Sequence, residues 1–284
     1  MSTLDLTIAI PAKNEESNLA DCLKAIGKDF AKQIVIIDSG STDNTKAIAA
    51  KFGVQVIDFK WDGKFPKKRN WYLRNHKPAT KWILFLDADE YLTSDFKNEV
   101  KKKLNIGYSG YWLSYTIHFL GKRLKGGYPL KKLALFQVGA GEYEKIDEDR
   151  WSEMDMEIHE HPILDQNIGT IKSKIDHQDF RGIEHYVKKH NEYSSWEAGR
   201  YLQSFSNPQV RSGWTWKQKV KYALMESTLI GPAYFFGSFI VLGGFRDGAR
   251  GFAFAILKMS YFTQIHCKIK ELKEYKIPPG SRLS

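Results

Sequence analysis

Asp87, Ala88 and Asp89 set two carboxylates two positions apart. Carboxylates are hard oxygen donors, and Mg²⁺ or Mn²⁺ commonly sits between one or two of them and the phosphates of a substrate. The chemistry suggested is a metal-bridged diphosphate. A lone D-x-D is also what a polar strand end capping the next helix looks like, so its setting must decide. Directly before it runs Trp82 to Leu86, five apolar residues in a row. Such a run reads as a strand buried on both faces, which would deliver the carboxylates to the carboxyl edge of a sheet. That edge is where open α/β sheets bind ligands.

Three more polar segments have equivalent positions. Pro11, Ala12, Asn14 and Glu15 follow the strand-like Leu6 to Pro11; Asp38, Ser41, Thr42 and Asp43 follow the strand-like Gln33 to Asp38. Lys67, Lys68 and Arg69 open a helix just before the apolar run, where they could reach the charge of a diphosphate. Each segment alone also fits a turn, a helix N-cap or a solvated helix face. Together they would converge on one crevice if the sheet is parallel. No G-x-G-x-x-G follows the first strand and no Walker A sequence is present, which argues against nicotinamide and P-loop sites.

The elements that must position these residues alternate. Helical spacing from Asn14 to Ile26 and again from Ser41 to Phe52 separates the strands, and Val54 to Phe59 reads as a third strand. This order predicts right-handed βαβ units and a mostly parallel α/β sheet flanked by helices. Tyr111 to Phe119 and Lys132 to Val138 extend it, with antiparallel members expected among them. Ile183 to Gln203 reads as an aromatic amphipathic helix. The expected organisation is a catalytic domain over 1–205, its donor half about 1–110 and acceptor half about 111–205, and a helical extension over 206–284.

The P-A-K-N-E, I-I-D-S-G-S-T-D-N-T, K-x-x-x-R-N and L-D-A-D-E segments, in this order and strand context, resemble the inverting family 2 glycosyltransferases of GT-A fold. M-E-I-H-E-H-P (Met156 to Pro162) and G-F-R-D-G-A-R-G-F (Gly243 to Phe252) look most like bacterial enzymes that add a hexose to the lipopolysaccharide inner core. The resemblance implies that Pro11, Ala12, Asn14 and Glu15 line the base and ribose of a nucleotide sugar. It implies that Asp38, with Ser41 and Asp43 on the same loop, binds the base, commonly uracil. Lys64 and Arg69 would lie near the diphosphate. Asp87, with Ala88 beside it, would contact the ribose or a metal-bound water, and Asp89 would be the main ligand of Mn²⁺ or Mg²⁺. His159 or His161 could complete the metal shell.

Inverting transfer requires a carboxylate that deprotonates the acceptor hydroxyl opposite the leaving diphosphate. From Glu142 to Glu160 there are nine acidic residues against Lys145 and Arg150. In an extended segment Glu153, Asp155, Glu157 and His159 would share one face. By family position Glu160 is the favoured base, with Glu153 and Asp155 as rivals; solvated charges on an edge strand are the plain alternative. Trp112, Tyr115 and His118 could form a sugar platform or belong to the core.

The chain has 284 residues, 42% hydrophobic and 27% charged, and a formal net charge of +10. That is an ordinary globular composition. Its two cysteines, Cys22 and Cys267, are too few and too far apart for a disulfide framework or a zinc site, which fits a reducing cytoplasm. The N-terminus reads as a strand, not a signal peptide. From Arg211 to Ser284 there are twelve Lys and Arg against four Asp and Glu, so most of the excess charge lies there. Between Glu226 and Arg246 nineteen residues carry no charge, at the lower limit for crossing a bilayer, and Pro232 and four glycines interrupt them. Flanking Lys219, Lys221, Arg246, Arg250, Lys268 and Lys270 suit a segment lying on an anionic membrane surface; a buried helical hairpin or a homodimer contact through the extension is the alternative. A nucleic-acid-binding protein, stacking Trp214, Trp216 and Tyr222 on a strand, is the competing class, but no recognised motif supports it. The expected partners are therefore a nucleotide-sugar donor, a glycan or glycolipid acceptor and the cytoplasmic membrane surface, not nucleic acid. A polyisoprenyl-phosphate acceptor is a further reading within the same fold.

Overall fold

The computed structural model describes residues 3–104, 106–145, 161–164, 167–206 and 216–275. Glu153, Asp155, Glu157, His159 and Glu160 lie outside the described residues, as does Trp214. Two compact units are present. Among the described residues the first comprises 3–117, 130–145 and 161–179, and the second 118–129 and 180–275.

The first unit is built on strands β1 (Leu4–Ala12), β2 (Ala31–Asp38), β3 (Gln55–Asp58), β4 (Trp82–Phe85), β5 (Glu90–Tyr91), β6 (Gly110–Phe119), β8 (Lys131–Gln137) and β11 (Ile168–His177). They form one sheet in the order β3-β2-β1-β4-β8-β6-β11-β5. The pairs β1 with β2, β1 with β4, β2 with β3 and β6 with β11 are parallel; β8 is antiparallel to both β4 and β6, and β5 to β11. The mixed, mostly parallel sheet expected from the sequence is the one observed.

This topology decides what meets at the ligand-binding edge. Parallel strands bring their carboxyl ends there, whereas β5 and β8, running the other way, bring their first residues. Asp38, Leu86-Asp87 and His177 therefore share an edge with Glu90 and Lys132. The end of β6 turns back as a hairpin into β7 (Lys122–Arg123), which pairs antiparallel with His118 and Phe119, and a short pair, β9 (Gly141–Tyr143) with β10 (Pro162–Leu164), stands apart from the sheet.

Helices cover both faces because the central strands are apolar on both. Leu6, Ile8 and Ile10 of β1 pack with Leu19, Cys22, Leu23 and Ile26 of α1 (Leu19–Ile26) and with Phe96 and Val100 of α4 (Ser94–Lys103). Ala9, Val35, Ile37, Ile83 and Phe85 point the other way, toward Tyr72 of α3 (Lys68–Asn75). Alternation at period two is thus present inside what reads as a continuous apolar run. Burying one such Leu or Ile contributes about 1.5–3 kcal/mol, so a charge at Ile8 would break this layer. Helix α2 (Thr45–Lys51) joins β2 to β3.

The second unit contains α5 (Gly182–Ser206), α6 (Trp216–Met225), α7 (Ile230–Phe236) and α8 (Gly248–Glu274). Ala198 and Tyr201 of α5 pack with Met225, Ile230, Tyr261, Phe262, Ile265 and Ile269. Helix α5 is thereby part of this helical unit, which among the described residues takes in 118–129 and the chain from Phe180 onward. The uncharged stretch is no single helix: after α7 the backbone widens to a π-turn over Gly237–Val241, reverses at Gly243 (φ 73) and makes a 3₁₀ turn over Gly244–Asp247. Lys268 is half-buried and engaged within the unit: its Nζ bonds Asn191 O (2.7 Å), Asn191 Oδ1 (2.8 Å) and the hydroxyls of Ser194 (2.8 Å) and Ser195 (2.7 Å). Cys22 and Cys267 are both free thiols.

Candidate active site

The loops after β1 and β2 are tied to each other. Asn14 takes a positive φ of 57°, which a short polar side chain tolerates, and its N–H donates to Ser41 Oγ at 2.9 Å. Its side-chain oxygen accepts from Thr42 N at 2.8 Å. Glu15 N donates to Thr45 Oγ1 at 2.8 Å, and Glu16 N to Asp43 Oδ2 at 3.0 Å. Asp43 also accepts from Thr45 N at 3.0 Å and so starts α2. Pro11 and Ala12 sit side by side with Ile37 and Asp38 in the β1/β2 register.

Asp38 is fully buried and turns its carboxylate onto its own loop, accepting from Gly40 N (3.0 Å), Ser41 N (2.9 Å) and the Ser41 hydroxyl. Burial alone would raise its pKa, but these bonds and Lys46, 3.5 Å away, outweigh it and hold the carboxyl below its ordinary value. The donor-side floor is therefore a rigid pair of cross-linked loops.

Helix α3 presents its cations from below. Asn70 is completely buried and clamps the backbone of Tyr143, donating to its carbonyl and accepting from its N–H, both at 2.9 Å. That clamp fixes Arg69, whose guanidinium lies 5.3 Å from the Tyr143 ring centroid and 5.9 Å from that of Phe85, and donates through Nη2 to Asp87 Oδ1 at 3.0 Å. Lys68 Nζ donates to Ala12 O at 3.4 Å, which joins this helix to the first loop. Lys64 is exposed, its N–H on Asp62 Oδ1 at 2.9 Å.

At the centre, Asp87 is bound by two cations: Arg69 on Oδ1 and Lys132 Nζ on Oδ2 at 2.5 Å. Lys132 also pairs with Glu90 Oε1, while Glu90 Oε2 accepts from Asp87 N at 3.1 Å. Burial pushes the Glu90 carboxyl up to about 7 against the pull of Lys132, with Asp87 and Asp89 adding to the rise. Burial disfavours the Lys132 ammonium, yet Asp87 and Glu90 outweigh that and hold its pKa well above the ordinary lysine value.

Asp89 faces a different group. His177 Nε2, at the end of β11, is 3.6 Å from Asp89 Oδ2. Its strand is fixed opposite β5 by the pairing of His177 with Glu90, and by Gln178 N donating to Asp89 O at 2.9 Å. Burial would lower the His177 pKa, but the bond to Asp89 and the charge of that carboxylate raise it above its usual value.

Asp89 and His177 offer one oxygen and one nitrogen donor side by side, both of them donor types that divalent ions take, and among the described residues no group of three or more such side chains is gathered. Asp87 fits that role less well, because both its oxygens are engaged by cations. Of the two histidines expected near the metal, His161 is exposed, its ring 4.9 Å from that of Trp112, and His159 is outside the described residues. Ala88 is buried between the two aspartates. Tyr115 belongs to the core and Trp112 is half-buried.

Three participants were not singled out from the sequence. Glu90 had been read only as the end of D-A-D-E. The D-H-Q that closes β11 was a signal of the same kind as D-A-D, a polar end on an apolar strand. Lys132 had no such signal, since its place at this edge follows from β8 running antiparallel.

The family model for Glycosyl transferase family 2 matches residues 7–156, more than half of the chain. The lipopolysaccharide core biosynthesis glycosyltransferase LpsC of Rhizobium meliloti (strain 1021) is 24% identical over 288 residues, covering 98% of this chain and 96% of that protein. An uncharacterized glycosyltransferase of Rickettsia conorii is 24% identical over 261 residues, covering 90% and 86% respectively. Among solved structures, glucosyl-3-phosphoglycerate synthase of Mycobacterium tuberculosis in complex with Mn²⁺, UDP and glucosyl-3-phosphoglycerate aligns over 37% of this chain and 42% of its own, with 21% identity and a TM-score of 0.30. The strand order, the acidic edge and the family match agree: the chain belongs to glycosyl transferase family 2 and is a glycosyltransferase.

Proposed function

We propose that the protein is an inverting, metal-dependent hexosyltransferase using a nucleoside-diphosphate sugar, with uridine as the expected base. The observation that carries this reading is the Asp89–His177 pair standing beside an Asp87 held by Arg69 and Lys132. The cross-linked loops of Asn14, Glu15, Asp38, Ser41 and Asp43 form the floor on which base and ribose rest. Arg69, with Lys64 on the same side, supplies positive charge to the diphosphate.

Asp89 and His177 would hold the divalent ion, Mn²⁺ or Mg²⁺, which stabilises the charge that builds on the departing diphosphate. Asp87, fixed through both oxygens, orients the ribose side of the donor. A carboxylate from the segment carrying Glu153, Asp155 and Glu160 takes the proton of the attacking hydroxyl; Glu160 is the assignment we favour. The match to the lipopolysaccharide core glycosyltransferase LpsC over nearly the whole chain supports a lipid-linked core glycan as acceptor. Such an acceptor places the reaction at the cytoplasmic face of the membrane.

Thermal-shift screening of nucleoside-diphosphate sugars with and without Mn²⁺ tests the donor. A rise in melting temperature with one uridine-diphosphate hexose, dependent on metal, is the expected result, and about 100-fold saturation adds about 2.7 kcal/mol. Silence toward every donor in the presence of metal would overturn the reading. Kinetics of Glu160→Gln, Asp155→Asn and Glu153→Gln identify the base: loss of kcat with donor binding retained is expected for Glu160→Gln.

A further inference from the structure

The uncharged stretch between Glu226 and Arg246 is largely at the surface instead of in the core. Val241 is 80% exposed, Phe236 61%, Phe245 55% and Ile240 51%. Beside them the rings of Phe235, Phe239 and Phe252 pack on one another at 5.5–5.7 Å, and Phe252 is itself 48% exposed. Contiguous exposed apolar groups of this kind mark an interaction surface.

The same unit attaches cations to this surface. Asp247 accepts from Lys125 N at 2.9 Å and from Gly126 N at 3.0 Å, and Gly127 N donates to Leu242 O at 2.9 Å. The approach is close enough that a Cβ on Gly126 would stand 2.1 Å from Gly243 O. This is what the G-F-R-D-G-A-R-G segment does: it clamps the 118–129 hairpin to the apolar turn. The clamp holds the backbone of exposed Lys125 on Asp247, the neighbour in sequence of exposed Arg246. The nearby carboxylate, Asp247, is spent on backbone amides.

We propose that this apolar surface with its basic rim is an interfacial membrane-binding site, with Phe236, Val241 and Phe245 entering a leaflet whose anionic headgroups meet Lys125 and Arg246. Large exposed aromatics beside Lys and Arg are what an anionic bilayer interface selects. A second copy of the chain fits less well, because an isologous contact would set the cations of one rim near those of the other. Among the described residues no helix is long and apolar enough to cross a membrane. The site goes beyond the transfer reading and does not depend on it.

Flotation of the full chain with vesicles of phosphatidylcholine, alone or mixed with phosphatidylglycerol, tests the proposal, with light scattering of the same samples. Binding to the mixed vesicles is expected, reduced by about tenfold or more in Val241→Asp/Phe245→Asp and losing its lipid preference in Lys125→Glu/Arg246→Glu. Circular dichroism melts confirm that the variants fold, and metal-dependent donor binding should be unchanged in Val241→Asp/Phe245→Asp, which separates this surface from the transferase site. No binding to either vesicle, binding indifferent to these substitutions, or a dimer that Val241→Asp/Phe245→Asp dissociates would each overturn it.

Discussion

His177 Nε2 stands 3.6 Å from Asp89 Oδ2, an imidazole from the end of β11 set against the second carboxylate of D-A-D. The first carboxylate, Asp87, is instead bound by Arg69 and Lys132. One aspartate thus faces an imidazole and the other two cations.

Asp89→Asn should lower kcat/KM by a hundredfold to ten-thousandfold, roughly the several kcal/mol that a bound metal supplies, while the fold survives. His177→Ala should weaken Mn²⁺-dependent donor binding by at least about tenfold. Steady-state transfer kinetics reads the first, and isothermal titration of the donor with and without metal reads the second. Unchanged binding in His177→Ala would remove that residue from the metal shell.

The raised pKa of His177 sets a pH dependence. A metal ligand must be neutral, so Mn²⁺ affinity should climb by about tenfold per pH unit until pH passes the raised value, then level off. Without metal the sign is opposite: the Asp89–His177⁺ pair stabilises the fold fully below the ordinary value of 6.5 and loses that contribution as pH rises through the folded pKa. In His177→Ala both trends should flatten.

Glu90 carries a second signature. Its folded pKa of about 7 lies above the ordinary 4.5, so between these values the folded state holds a proton that the unfolded chain has lost. Stability should therefore fall as pH rises across that window and then level. Urea unfolding midpoints followed over the window should show this slope in the wild type and a smaller one in Glu90→Gln.

Asn70→Ala would leave both the N–H and the carbonyl of Tyr143 buried without their partner. A cost of about 2–6 kcal/mol in urea unfolding is expected, at about 1–3 kcal/mol for each of the two groups. Because the same clamp sets Arg69, the KM for the donor should rise in whatever fraction stays folded.

Much of this was legible in the chain alone. The apolar runs, the polar loop after each and the helical spacing between them are local patterns, and they determined the sheet and its ligand edge and singled out Asn14, Asp38, Arg69, Asp87 and Asp89 as the candidates there. Periodicity cannot report strand direction for a short run, and there the tertiary structure decided. An antiparallel β8 brings Lys132 to the carboxyl edge, and an antiparallel β5 sets Glu90 opposite His177, so Asp87 becomes ion-paired while Asp89 meets an imidazole. In the C-terminal unit the sequence showed an uncharged stretch with basic flanks. Only the fold turned it outward, because the π-turn after α7 and the left-handed Gly243 break the helix that would have buried it, and Asp247 draws the basic hairpin to its side.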